Sequence, residues 1–173
     1  MKEKNLLFIN LLPLKTNRLI IKQTSCIDID LILKMDKQEE TQKFLGGIKN
    51  KTKEERIEFL SKKESKFKEG IASSLTVYLN EIPIGFVGLK IQEDIAEISY
   101  IFDYDYWNKG YCTETCNKLI EVGFNNLNLK MIYANTLENN INSIKVLNKL
   151  GFSYKEKILK DNTIFLNYQI NKI

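Results

Sequence analysis

The spacing of apolar residues divides the first third of the chain into one strand and one helix. A short run of branched apolar residues at 18–22 predicts the first strand. Thr24 and Ser25 then provide a helix start, and Ile27, Leu31 and Met35 follow at helical spacing. We therefore expect these three side chains to share the inward face of the first helix.

A capping-box pattern at 52–55 predicts a second helix, in which Ile57, Leu60 and Phe67 are expected to face inward. Lysines and glutamates alternate along the rest of this segment. Such alternation is typical of a solvated helix face and is weak evidence for a nucleic-acid patch.

The remaining segments are short and closely spaced. In chain order they are predicted strands at 75–79, 84–89 and 96–102, a helix at 113–124, a strand at 131–136, a helix at 142–150, and strands at 152–159 and 164–170. The order β-α-α-βββ-α-β-α-ββ predicts a mixed α/β fold with a central, mostly antiparallel sheet of about seven strands flanked by about four helices. We expect one domain over 1–173, with 1–14 as an N-terminal arm.

Composition changes this picture mainly by exclusion. The chain has 173 residues, a net charge of +4 and no histidine, so Ser-His-Asp triads and His-ligated metals are ruled out. Its three cysteines form no CxxC pair, which argues against a thiolate metal site and favours a reducing cytoplasm. The apolar run at 6–12 is too short to span a membrane and carries Asn10. We expect a cytoplasmic protein that needs no metal and binds neither membrane nor nucleic acid.

Two windows carry candidate chemistry. In the first, the strand at 96–102 leads through a loop with Lys109 and Gly110 into a helix. The free N–H groups of a helix start attract anions, and glycine permits close approach of a phosphate, although one glycine before a helix is usually only a turn. In the second, Asn140 precedes a helix ended by Gly151, where capping is the simplest role for the amide.

Taken together, the two windows resemble the GNAT superfamily of acyl-CoA N-acetyltransferases, and within it the ribosomal-protein N-terminal acetyltransferases. The resembling blocks are TNRL at 16–19, AEISY at 96–100, WNKGYCTE at 107–114, and Asn140 and Ser143 before LGF at 150–152. Their order and spacing are highly specific for the superfamily. The resemblance implies a GNAT-like fold and direct transfer of an acetyl group from acetyl-CoA to a primary amine, at a protein N-terminus or on a small molecule.

The resemblance also implies roles for individual residues. Glu97 would be the general base, acting through a water, and Ser143 would protonate the leaving thiolate. Tyr100 and Asp161 would line the acceptor pocket. The residues that would bind acetyl-CoA are Ile101, Phe102, Trp107, Asn108, Lys109, Gly110, Tyr111, Cys112, Thr113 and Asn140. A salt bridge or a solvent-facing position remains the alternative role for Glu97, as capping or packing does for Ser143.

Three departures from the family pattern bear on these expectations. Trp107 stands where relatives usually have Arg or Gln, Cys112 replaces a Gly or Ala, and Leu147 occupies the place of a tyrosine acid. A non-catalytic acyl-CoA-binding or sensor module of the same fold is therefore the alternative function. Because relatives are often dimers, the resemblance also suggests a homodimer.

Overall fold

The computed structural model describes residues 2–71 and 74–172. The helices are Lys2–Asn10 (α1), Ile29–Asp36 (α2), Glu39–Gln42 (α3), Lys53–Lys68 (α4), Tyr111–Glu121 (α5) and Ile141–Lys149 (α6). The strands are Leu14–Lys15 (β1), Leu19–Gln23 (β2), Leu75–Leu79 (β3), Ile82–Gln92 (β4), Ile95–Phe102 (β5), Met131–Leu137 (β6), Ser153–Lys160 (β7) and Thr163–Asn171 (β8). Single 3₁₀ turns lie at Cys26–Asp28 and Tyr104–Tyr106, and a π-helical turn at Val122–Asn126.

The eight strands form one sheet in the order β1-β2-β3-β4-β5-β6-β8-β7. Every neighbouring pair is antiparallel except β5 and β6, which run parallel and are connected through α5. Parallel neighbours require such a crossover, whereas antiparallel neighbours can be joined by tight turns. The strand pairing therefore switches from antiparallel to parallel at one place in the sheet, between β5 and β6.

Local sequence explains the turns and helix starts around this sheet. Asn80 and Glu81 both have positive φ, at 48° and 68°, which suits the tight turn between β3 and β4. Thr52 accepts a hydrogen bond from the Glu55 amide while the Glu55 carboxylate accepts one from the Thr52 amide, which begins α4. The first β3 residue, Leu75, is fully buried in the core.

The core fills the space between the sheet and the helices packed on it. Its largest fully buried side chains include Phe8, Leu19, Leu60, Leu89, Leu119 and Ile132. Burying a side chain of this size stabilises the fold by about 1.5–3 kcal/mol. No helix within 2–71 and 74–172 is long and apolar enough to cross a membrane.

The predicted fold class and element order are confirmed, and the counts are slightly wrong. Eight strands and six helices replace about seven and about four, because β1 and α3 are very short and α1 lies in the N-terminal segment. Sequence spacing gave no signal for elements of two to four residues.

Two side chains expected to face inward are exposed. Ile27 is 80% exposed because it lies in the 3₁₀ turn before α2, where helical spacing does not yet hold. Ile57 is 38% exposed because the neighbouring position, Arg56, takes the inner face of α4. There its guanidinium donates to the buried Asp36 carboxylate at 2.5 and 2.6 Å, and a buried carboxylate requires such a partner.

Candidate active site

A cleft opens where β5 and β6 separate. The two strands pair only at Ile95–Met131, Ala96–Ile132 and Glu97–Tyr133, although β5 continues for five more residues and β6 for four. The diverging ends enclose a cleft of about 440 Å³. Unpaired backbone groups of both strands therefore border a space that can take an extended chain.

The cleft brings together most of the residues predicted from sequence. Its lining includes Glu97, Tyr100, Ile101, Phe102, Trp107, Asn108, Gly110, Tyr111, Cys112, Thr113, Asn140 and Ser143. Two predicted residues are not part of the lining. Lys109 points its ammonium group to the Asp105 carbonyl (2.8 Å), and Asp161 lies exposed in the β7–β8 turn with φ 48°.

The loop before α5 presents backbone N–H groups to the cleft. Gly110 has φ 81° and lies directly before the first helical residue, Tyr111. The first intrahelical bond runs from the Glu114 amide to the Gly110 carbonyl at 2.9 Å, so the amides of 111–113 precede it. A helix start of this kind favours an anion through its N–H groups and its dipole.

Side chains from the segment between β1 and β2 hold this helix start in place. The Glu114 carboxylate accepts from Thr16 Oγ1 (2.5 Å) and from the Arg18 amide (3.0 Å) and Nε (2.7 Å). Arg18 also donates to the Lys109 carbonyl at 3.2 Å and lies over the Tyr111 ring. Burial raises the pKa of Glu114, but the hydrogen bonds from Thr16 and Arg18 outweigh it and hold that pKa below its ordinary value. Sequence reasoning used TNRL only as a family marker and missed this anchoring role.

The other end of the loop is anchored by a buried carboxylate. Asp103 is 1% exposed and accepts from Lys34 Nζ (2.6 Å), Gln38 Nε2 (2.7 Å) and the Asp105 amide (3.1 Å). Burial raises its pKa, and the hydrogen bonds reverse that effect to a net lowering. The Trp107 indole N–H donates to the Phe102 carbonyl at 2.8 Å and so ties the loop to the end of β5.

Across the cleft, hydrogen bonds join Asn140 and Ser143 at the start of α6 to each other and to Tyr100 of β5. Asn140 Oδ1 accepts from the Ser143 amide at 3.2 Å and caps the helix. Ser143 Oγ lies 2.9 Å from the Tyr100 hydroxyl, which comes from β5. Burial raises the pKa of Tyr100, so this hydroxyl stays neutral at physiological pH. Leu147, one turn further along α6, is fully buried, and its side chain has no ionisable proton to donate.

Glu97 lies at the point where the strands part. It occupies the last paired position of β5 and β6, and its Oε1 accepts from Asn135 Nδ2 at 3.2 Å. Both side chains line the cleft. A carboxylate placed here can accept a proton from a group that enters between the strands.

The comparisons with known proteins agree with this geometry. A family model described as the acetyltransferase (GNAT) domain matches residues 18–153. The chain belongs to the GNAT acetyltransferase family. It is 29% identical to the uncharacterized N-acetyltransferase p20 of Bacillus licheniformis, over 86% of this chain and 85% of that protein. This membership makes the chain an acyl-CoA-dependent acetyltransferase.

Two solved structures show the same fold. A GNAT-family acetyltransferase from Bacillus anthracis superposes with a TM-score of 0.75 at 24% identity, over 90% of this chain and 94% of that one. The ribosomal L7/L12 α-N-protein acetyltransferase RimL, in complex with coenzyme A, superposes with a TM-score of 0.79 at 12% identity, over 92% and 97%.

Proposed function

We propose that this protein transfers the acetyl group of acetyl-CoA directly to a primary amine while both substrates are bound. The observation that supports this most is the fork between β5 and β6, which opens onto the start of α5 and has Glu97 at its base. The structure of RimL holds coenzyme A on the same fold. An anion site, an open strand edge and a carboxylate in one cleft are what such a reaction requires.

Acetyl-CoA fits the cleft by its chemistry. The amides of 111–113 would bind the pyrophosphate, with Gly110 allowing its close approach. The open edge of β5, which ends at Ile101 and Phe102, would pair with the amide groups of the pantetheine arm. Because the Phe102 carbonyl already accepts from Trp107, the backbone groups free to pair lie before that carbonyl. Cys112 and Thr113 would contact the same arm from the first turn of α5.

The acetyl transfer needs no protein nucleophile, because the amine attacks the thioester directly. The amine nitrogen forms a bond to the acetyl carbon, the carbon–sulfur bond breaks, and the amine loses one proton. Glu97, directly or through a water, would accept that proton. Ser143 would donate a proton to the leaving thiolate and regain one from solvent, while Glu97 releases the proton it accepted to solvent; the neutral Tyr100 hydroxyl lies 2.9 Å from Ser143 Oγ and holds it in place. Asn140 fixes the turn from which Ser143 projects.

The acceptor would contact lining residues that have no proposed part in binding acetyl-CoA, among them Glu40, Phe44, Leu45 and Phe165. A cleft lining that holds both an exposed carboxylate and apolar side chains would suit an amine attached to an apolar group, such as a peptide N-terminus or an amphiphilic small amine. RimL, which shares the fold, is named for acetylating the α-amine of a ribosomal protein.

The test is an assay of coenzyme A thiol release with acetyl-CoA and a panel of N-terminal peptides and small amines. The expected result is release that depends on both the enzyme and one class of amine, with acetylation of that amine verified by mass. Binding of acetyl-CoA with no release on any amine would contradict the proposal and favour a non-catalytic acyl-CoA-binding module.

A further inference from the structure

A row of four polar side chains crosses three strands at the base of the cleft. Gln169 Nε2 donates to Asn167 Oδ1 at 2.8 Å, and Asn167 Nδ2 donates to Asn135 Oδ1 at 2.8 Å. Asn135 Nδ2 then donates to Glu97 Oε1. Asn135 and Asn167 are directly opposed residues of β6 and β8, so backbone pairing sets the distance between their side chains.

All three hydrogen bonds of the row donate in the direction of Glu97, and the Glu97 carboxylate determines that direction. An ionised carboxylate only accepts hydrogen bonds, so Asn135 must turn its NH₂ group towards Glu97. The Asn135 oxygen then faces Asn167, which must present its own NH₂ group, and Gln169 completes the same pattern. Each amide therefore depends on the orientation of the next.

Burial makes this arrangement specific. Asn167 is 4% exposed, and a buried amide left without partners costs about 1–3 kcal/mol. Asn135 is exposed in the cleft wall, where solvent alone would not hold its amide in one orientation. The buried Asn167 thus supplies the constraint that the exposed Asn135 lacks.

The row engages only one oxygen of Glu97. Among residues 2–71 and 74–172, Oε2 has no hydrogen-bond partner, so it is left for a group in the cleft. Other titratable groups near Glu97 are Lys90, opposite it on β4, Tyr133, opposite it on β6, and Glu40 in the cleft lining. None of these three forms a hydrogen bond or ion pair with Glu97 in the described part of the chain.

We propose that Asn135 is a positioning residue that holds Glu97 with Oε2 towards the acceptor, and that Asn167 sets the orientation of the Asn135 amide. This inference rests on the proposed function, because it assigns the row a task only if Glu97 takes the proton. It predicts that two asparagines on β6 and β8 control a carboxylate on β5.

The experiment measures kcat/KM for the amine against pH in the wild type, Asn135→Ala and Asn135→Asp, together with acetyl-CoA affinity. Asn135→Ala removes the hydrogen-bond donor that stabilises the Glu97 carboxylate. The low-pH limb of the kcat/KM profile (the acid limb) should therefore move to higher pH by about 0.5–1 unit. A second carboxylate at this position repels the first, so Asn135→Asp should move the limb further. Acetyl-CoA affinity should stay within about twofold, because neither change touches the helix start that would bind phosphate. Asn139→Ala is the matched control, since Asn139 is exposed and outside the cleft lining.

Asn167→Asp tests the row one step further away. An aspartate there accepts only, so Asn135 would turn its NH₂ group to β8 and its oxygen to Glu97. The acid limb should again move to higher pH, although residue 167 does not line the cleft. If this variant fails to fold, as judged by circular dichroism, the two Asn135 variants decide the question.

The outcomes separate the inference from the function on which it rests. A wild type that neither binds acetyl-CoA nor transfers acetyl overturns the proposed function. An active wild type without an acid limb, or Asn135 profiles that overlay those of the wild type and Asn139→Ala, overturns this inference alone.

Discussion

The anchoring of α5 by Glu114 gives a prediction whose size follows from the structure. Glu114→Ala removes an acceptor for Thr16 and for the Arg18 main chain and side chain. The bonds from Thr16 and from the Arg18 amide count for about 1 kcal/mol each. The ion pair adds at most about 1 kcal/mol, because the Arg18 side chain is 46% exposed. We expect the free energy of unfolding to fall by about 2–3 kcal/mol and Tm to fall by about 5–10 °C.

The same change should weaken acetyl-CoA binding. Without Glu114, the Arg18 side chain is no longer held where it donates to the Lys109 carbonyl, so the loop at 107–110 becomes less ordered. Reordering one loop residue on binding costs about 1–2 kcal/mol, which raises Kd about 5- to 30-fold. Thermal melts and calorimetric titration measure the two effects. The control is Glu121→Ala on the same helix, whose exposed pair with Lys118 should change Tm by less than about 2 °C.

The pH dependence of this stabilisation has a definite sign. Because the pKa of Glu114 is lowered in the fold from an ordinary 4.5, its contribution is complete above that pH and is lost as pH falls through the folded value. The difference in Tm between wild type and Glu114→Ala should therefore shrink below about pH 4.5. Equal melting and equal acetyl-CoA affinity of the two proteins at pH 7 would refute the reasoning.

Three further substitutions test other parts of the site. Gly110→Glu should abolish detectable acetyl-CoA binding in calorimetry, because a residue at φ 81° is strained and its side chain would add negative charge at the helix start and meet the Arg18 guanidinium that holds the loop; retained affinity would move the site elsewhere. Glu97→Gln should lower kcat at neutral pH by about 10²-fold with acetyl-CoA affinity nearly unchanged, whereas an unaltered pH–rate profile would remove Glu97 from the mechanism. Gly85→Ala should destabilise the fold by about 1–3 kcal/mol in denaturant titration, since its Cβ would meet the Phe102 ring at 2.7 Å and the Ile101 carbonyl at 2.8 Å; a neutral effect would mean that β5 can shift freely at the cleft.

Local features of the fold and site could be predicted from the sequence because they depend on neighbouring residues. The capping box of α4 and the glycine before α5 act within four residues of themselves, and both are present in the structure. The loop at 107–113 lies within one of the short blocks that carry the family resemblance, and that resemblance implied its residues, all of which except Lys109 line the cleft. Asp161 lies in a hairpin turn outside the cleft lining, because such a turn fixes only its own geometry and gives no distance to the cleft; its contact with an acceptor stays a prediction.

The contacts that organise the site depend on long-range pairing. Arg18 and Glu114 are 96 residues apart, and Asn135 and Asn167 are 32 apart. Their meeting requires the strand order and register of the whole sheet, which no local spacing encodes. Asparagines on strands also give no signal of their own, since the same residues commonly occupy turns.

The most direct test of the account is amide NMR of the wild-type protein titrated with acetyl-CoA. The account predicts that the largest shifts fall on the amides of 108–113 at the start of α5 and on those of the β5 edge at 98–101, with saturation at one equivalent. Saturable binding that leaves the amides of 111–113 unchanged would contradict it, because acetyl-CoA would then occupy a site other than the fork between β5 and β6.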